Sequence, residues 1–268
     1  MTCKSKTSQK GFTLVELSIV LVIIGLIVSG VLAGRDLIKA AELRATVRQV
    51  QSFQTAVNTF IGKYNGIPGD VTAATYGLVG GVATTNADGF ISDLTGGTAA
   101  SSRNTYNGEI SNFWSELTSP GKELIPGIYN GHEGAAAINR NDVVNVNMPK
   151  MKFGNSGWGV FTDGVSNYFV TGVPGDDGVI ATDAYLTSNI FVPIELYNMD
   201  VKMDDGLPAS GDVQAVGGAA ADPNTAAASN VTASLVSTDC YDSTANANTY
   251  YMAATTANCN ARFTMKTF

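Results

Sequence analysis

Histidine occurs once in the 268 residues, at His132, cysteine only three times, and no two cysteines stand in Cys-x-x-Cys spacing. A structural zinc centre needs four nitrogen or sulfur ligands at close spacing, so none is expected. No glycine-rich phosphate-binding loop is present either. Gly154-Asn155-Ser156-Gly157 has the look of a nucleophile loop, but His132 is the one available base and no orienting acid can be assigned. Glu109, Glu116 and Glu133 have no spacing that pairs them for glycoside hydrolysis, and they read as solvated surface charge. Charged residues are scarce, at 15%, and the balance is acidic, with a formal net charge of −7. Nucleic-acid affinity rests on lysine and arginine neutralising phosphates, so general nucleic-acid binding is not expected. Nothing here points to an enzyme or to an organic cofactor.

What the chain does have is a long apolar run. Phe12 to Gly34 is almost wholly apolar, and as a helix it reaches about 34 Å, enough to cross a bilayer core of about 30 Å. One acid interrupts it. Glu16 lies four positions after Phe12, where a lone carboxylate costs several kcal/mol and needs a function and a partner. The run exceeds the roughly 7–15 apolar residues of a secretory signal, which weighs against cleavage near Val31-Leu32-Ala33. A plain single-pass anchor would leave Glu16 without a purpose. Lys4, Lys6 and Lys10 precede the run with no acid among them, which keeps that flank cytoplasmic.

The junction Lys10-Gly11-Phe12-Thr13-Leu14-Val15-Glu16 resembles the class III leader of type IV pilins and type II secretion pseudopilins. The resemblance implies a leader at 1–11, cut by a prepilin peptidase between Gly11 and Phe12, and N-methylation of the new Phe12 terminus. It implies an α+β, type IV pilin-like fold, with a long helical spine carrying an antiparallel sheet head. It also implies polymerisation with copies of itself or other pilins, through an inner-membrane assembly platform. Glu16 then serves as the counter-charge to the Phe12 amine of a neighbouring subunit, since a buried charge is tolerable when paired. The protein is expected first as a single-pass inner-membrane subunit, then in a periplasmic or cell-surface filament. A priming or capping minor subunit is the alternative, because the 257-residue mature chain is long for a major one. A non-polymerising anchored adhesin or ligand-binding module is a third possibility, and one with no use for Glu16.

Beyond the span at 12–34, an amphipathic segment at 35–64 repeats Leu43, Val47, Val50, Phe53, Val57, Phe60, Ile61 and Tyr64 at helical steps. Asn65-Gly66 with Pro68 stops it, so one helix is expected over Phe12–Tyr64. Gly25-x-x-x-Ser29 and Gly30-x-x-x-Gly34 set small residues on one helix face, which allows close approach of helices in lipid. Lys63-Tyr64-Asn65-Gly66-Ile67-Pro68-Gly69-Asp70 is similar to the segment that follows the spine in many prepilin-type proteins. The extracytoplasmic head is expected over 65–268. In it, Ile110, Phe113, Trp114 and Leu117 suggest a short helix with Trp114 in the core. Residues 158–162 and 167–171 read as a hairpin turned at Asp163-Gly164. Residues 193–203 read as a helix whose apolar positions are Ile194, Tyr197 and Val201. Residues 214–230 read as a low-complexity flexible loop, and residues 261–266 as a last strand with Phe263 and Met265 facing in.

Loss of the leader removes Cys3 and three lysines, leaving a net charge of −10 and the even pair Cys240 and Cys259. In an oxidising compartment these two are expected to bridge. Gly175-Asp176-Asp177-Gly178 and Asp204-Asp205-Gly206 put hard oxygen ligands on glycine turns, as calcium prefers. Some major pseudopilins carry a calcium in a late loop, and here the candidate ligands are Asp176, Asp177, Asp204 and Asp205, although neither stretch has the full ligand spacing of a known loop motif. The competing reading is that Asp-Gly simply makes turns and caps.

Overall fold

The computed structural model describes residues 11–71, 85, 87–92, 108–119, 121, 123–130, 144–154, 156–172, 189–217, 240–242, 249–257 and 259–267. Helix α1 runs Leu14–Tyr64 and α2 Gly108–Thr118, followed by strands β1 Gly157–Thr162 and β2 Asn167–Gly172. Helix α3 spans Pro193–Met203, and β3 Val213–Gly217, β4 Tyr241–Asp242, β5 Thr249–Tyr250 and β6 Cys259–Thr264 complete the order. The fold is α+β, a long N-terminal helix followed by a small antiparallel sheet. The chain divides into two compact units, Met1–Glu42 and Leu43–Phe268.

In the first unit, α1 starts at Leu14 rather than Phe12, because Thr13 caps it. From Phe12 to Ile38 its large apolar side chains are exposed. It is long and apolar enough to cross a membrane.

In the second unit the helical period of the sequence becomes a packing face. Leu43, Val50, Phe53, Val57, Phe60 and Tyr64 are buried. Asn65 then takes the left-handed conformation (φ 52), and its N–H donates to the Ile61 carbonyl at 2.8 Å, closing the helix as an αL cap. The four-stranded sheet has the order β1-β2-β6-β3, all pairs antiparallel. Phe53 meets Trp158 of β1 at 5.6 Å and Phe169 of β2 at 5.9 Å between ring centroids. Trp114 of α2 closes on the same ring at 4.9 Å, and is core as expected.

Two glutamines lace this part of α1 to the main chain of the head. Gln49 Nε2 donates to the Lys150 carbonyl at 2.7 Å. Its Oε1 accepts from Lys152 N–H and from Trp158 Nε1, each at 3.1 Å. Gln54 brackets Lys266 in the same way, donating to its carbonyl and accepting its N–H.

The hairpin turns over four residues, with Asp163 Oδ1 accepting from Val165 and Ser166 N–H at 2.8 Å each. Phe263 and Met265 are buried as expected. Two expectations are corrected, at β3 and at two buried glutamates. Residues 213–217, most of them assigned to a flexible loop, form β3 and pair with β6; the rest of that stretch lies outside the described residues. Helix α3 buries Leu196, Met199 and Asp200, while Ile194 and Val201 stay exposed, because α3 lies against β3, β5 and β6 through its other face. Glu109 and Glu116 are buried rather than solvated. The Gly69 N–H donates to Glu116 Oε2 at 2.6 Å, and the Ser92 N–H donates to Glu109 Oε2 at 2.9 Å. Gly69 has φ +88, and a Cβ on it would stand 2.4 Å from the Glu109 carbonyl. The Pro68-Gly69-Asp70 segment thus needs glycine so that the chain can pass against α2.

Candidate processing and assembly site

Gly11 and Phe12 stand exposed ahead of α1, Phe12 by 92%. A Cβ built on Gly11 meets nothing within 4 Å, so the fold itself places no demand for glycine at the junction. The same is true of Gly25, Gly30 and Gly34 within this chain.

Thr13 and Glu16 form a reciprocal cap. Glu16 Oε2 accepts from the Thr13 N–H and from its hydroxyl, both at 2.8 Å. The Glu16 N–H reaches Thr13 Oγ1 at 3.3 Å. This is a capping box, in which an N-cap threonine and the acid three residues on satisfy each other's donors. The Thr-x-x-Glu signal stands in the sequence, but the apolar surroundings of Glu16 drew its reading toward an intermolecular role alone. The carboxylate has a local partner in the single chain, and its second oxygen remains available for another.

At the other end of the chain, the Cys240 and Cys259 sulfurs are 2.02 Å apart, with Cα atoms 5.3 Å apart. Tyr251 N–H donates to the Cys240 carbonyl and Phe191 N–H to that of Cys259, so both cysteines sit in ordered backbone.

The acidic turn after α3 brings Asp204 and Asp205 beside Asp200, their ligand-capable oxygens within 4.8 Å of one another. Asp200 was not among the expected ligands; Asp176 and Asp177 lie outside the described residues. Each carboxylate already serves the turn. Asp200 accepts from Tyr250 Oη at 2.8 Å and from Gly206 N–H at 3.2 Å. Asp204 accepts the N–H of Asp212, and Asp205 accepts from Leu207 N–H and Ser210 Oγ at 2.8 Å each. Burial pushes the Asp200 carboxyl up to about 6, with its neighbours Asp205 and Asp204 adding to the rise. Burial also raises Tyr250. Three oxygens on one turn suit a hard cation, and the same hydrogen bonds suffice for a turn and a helix end.

No curated protein and no solved structure matches the chain. Residues 6–32, which include Gly11, Phe12, Thr13 and Glu16, match the prokaryotic N-terminal methylation motif, so the chain carries the signature of type IV pilin- and pseudopilin-type prepilins.

Proposed function

We propose that this chain is a structural filament subunit, cut between Gly11 and Phe12, methylated at Phe12, and polymerised into a type IV pilus or type II secretion pseudopilus. The observation that carries the reading is the pairing of the methylation motif with a helix whose apolar side chains from Leu14 to Ile38 are exposed along the chain. Such a surface needs a membrane first and other helices afterwards. Small residues at 25, 29, 30 and 34 suit close helix approach, and Glu16 supplies the charge that sets axial register against a neighbour's amine. Head-to-tail contacts of this kind generate filaments. Export to an oxidising compartment supports a Cys240–Cys259 bridge.

Gly11→Val is expected to leave full-length precursor in the membrane, and mass spectrometry of the wild type is expected to find methylated Phe12 at the new terminus. A mature terminus near Gly34 would overturn the reading. The copy number in sheared filaments separates a major subunit from a priming or capping one. Calcium at the acidic turn is a second reading, supported by the cluster of Asp200, Asp204 and Asp205. Its test is the calcium dependence of melting argued in the Discussion.

A further inference from the structure

One side of α1 in the second unit has no part in the fold. Val50, Phe53, Val57 and Phe60 are buried, which leaves Arg44, Arg48, Gln51, Thr55 and Thr59 exposed. These five follow at three- and four-residue steps and share one helix face. The Thr55 and Thr59 hydroxyls turn back to the carbonyls of Gln51 and Thr55. Arg44 and Arg48 are thus the polar heads of the stripe, and among the described residues neither has an ion-pair partner.

The charge of the chain is divided unevenly about this stripe. From 35 to 64, five basic residues stand against two acids; from 65 to 268, twenty acids stand against eight basic residues. The helical stem is therefore at +3 and the head at −12. Heads brought together at filament density lie within a Debye length of about 8–10 Å, where like charge repels. A contact that sets an acidic head on a basic stem offsets that repulsion and fixes register. Arginine suits the task, because its planar fork grips a carboxylate with two hydrogen bonds. Exposed carboxylates such as Glu123 are available on the head. An anionic membrane is a poorer occupant, since two arginines fall short of the four to eight cations such binding uses. A nucleic acid would meet the repulsion of the head.

We propose that the Arg44–Arg48 stripe of α1 is the docking face for the acidic head of a second copy of this chain. This rests on the filament-subunit reading and adds to it the surface that joins stem to head.

The test compares wild type with Arg44→Glu/Arg48→Glu, both expressed at the level of the native protein, in sheared filaments and in membranes. The double reversal is expected to reduce filament incorporation about tenfold, with membrane level and head melting unchanged. In a second arm, Arg48→Lys filaments are grown from mixed 14N- and 15N-labelled copies and treated with a carbodiimide, which condenses an amine with a touching carboxylate. Links from the position-48 peptide to a head carboxylate of the other isotope are expected. Undiminished incorporation of the double reversal, or links confined to one isotope, would overturn this contact and leave the filament reading standing. Absence of the wild type from filaments would overturn both.

Discussion

At the residue scale, the cap that Glu16 forms can be separated from the counter-charge role proposed for it. In the single chain its carboxylate closes the capping box by accepting from the Thr13 N–H and hydroxyl. The proposed filament would give it a second role, as counter-charge to a neighbouring terminus. Glu16→Gln keeps the length and an acceptor for Thr13 but removes the charge, whereas Thr13→Val removes the cap and keeps the charge. A role in capping alone predicts the larger defect for Thr13→Val. The counter-charge role predicts that Glu16→Gln is processed and inserted normally but is depleted from sheared filaments, with Thr13→Val affected less. Comparing both variants with wild type in membrane and filament fractions decides between the roles. Equal incorporation of Glu16→Gln and wild type would remove the counter-charge role.

At the element scale, a Cys240–Cys259 bridge would tie the residue before β4 to β6, closing a loop with a sequence separation of 19. On the chain-entropy account a loop of that size stabilises by about 3 kcal/mol. Cys259→Ser should therefore lower the denaturation midpoint of the head. Peptide mapping without reductant should find both cysteines of the wild type in one linked fragment, and free thiols in protein from its own compartment would refute the bridge. What could be read beforehand followed the reach of each signal. The stem of α1, the hairpin and β6 are legible because local periodicity and turn residues specify them. Strand β3 was hidden: Val213, Ala215 and Val216 lead into a glycine- and alanine-rich stretch, and their place is set by pairing with β6 from the far end of the chain. Helix α3 is legible from its spacing, which suits Leu196 and Met199 as well as Ile194, Tyr197 and Val201, and tertiary packing decides which of them are buried. Glu109 and Glu116 read as solvated because their partners, Ser92 and Gly69, are 17 and 47 residues away. At the candidate site, the junction and Glu16 were legible as a motif, whereas Asp200 joined the acidic turn only through the curl of the chain after α3.

At the scale of the whole molecule, an acidic chain would ordinarily be expected to weaken in acid, yet its buried carboxyls argue for the opposite over part of the range. Burial raises both Asp70 and Asp200. A carboxyl whose folded pKa is raised binds its proton more tightly in the folded state. Its favourable contribution is complete below the ordinary value and is lost as pH rises through the folded one. For Asp200 that window runs from 3.8 to about 6, corresponding to at most about 3 kcal/mol, less whatever water screens. Melting of the processed protein in detergent should thus fall as pH rises from about 4 to about 6, and Asp200→Asn should flatten the slope. Calcium acts on the same groups in the opposite sense, since it needs the deprotonated carboxylates. If it binds Asp200, Asp204 and Asp205, adding it at pH 7 should raise the melting temperature of the wild type, do little at pH 5, and do nothing for Asp200→Asn at either pH. A wild type that melts alike in calcium and in chelator at pH 7 would leave the three aspartates as turn and helix-end residues alone. A wild-type profile without the falling slope would mean that Asp200 stays ionised in the folded head.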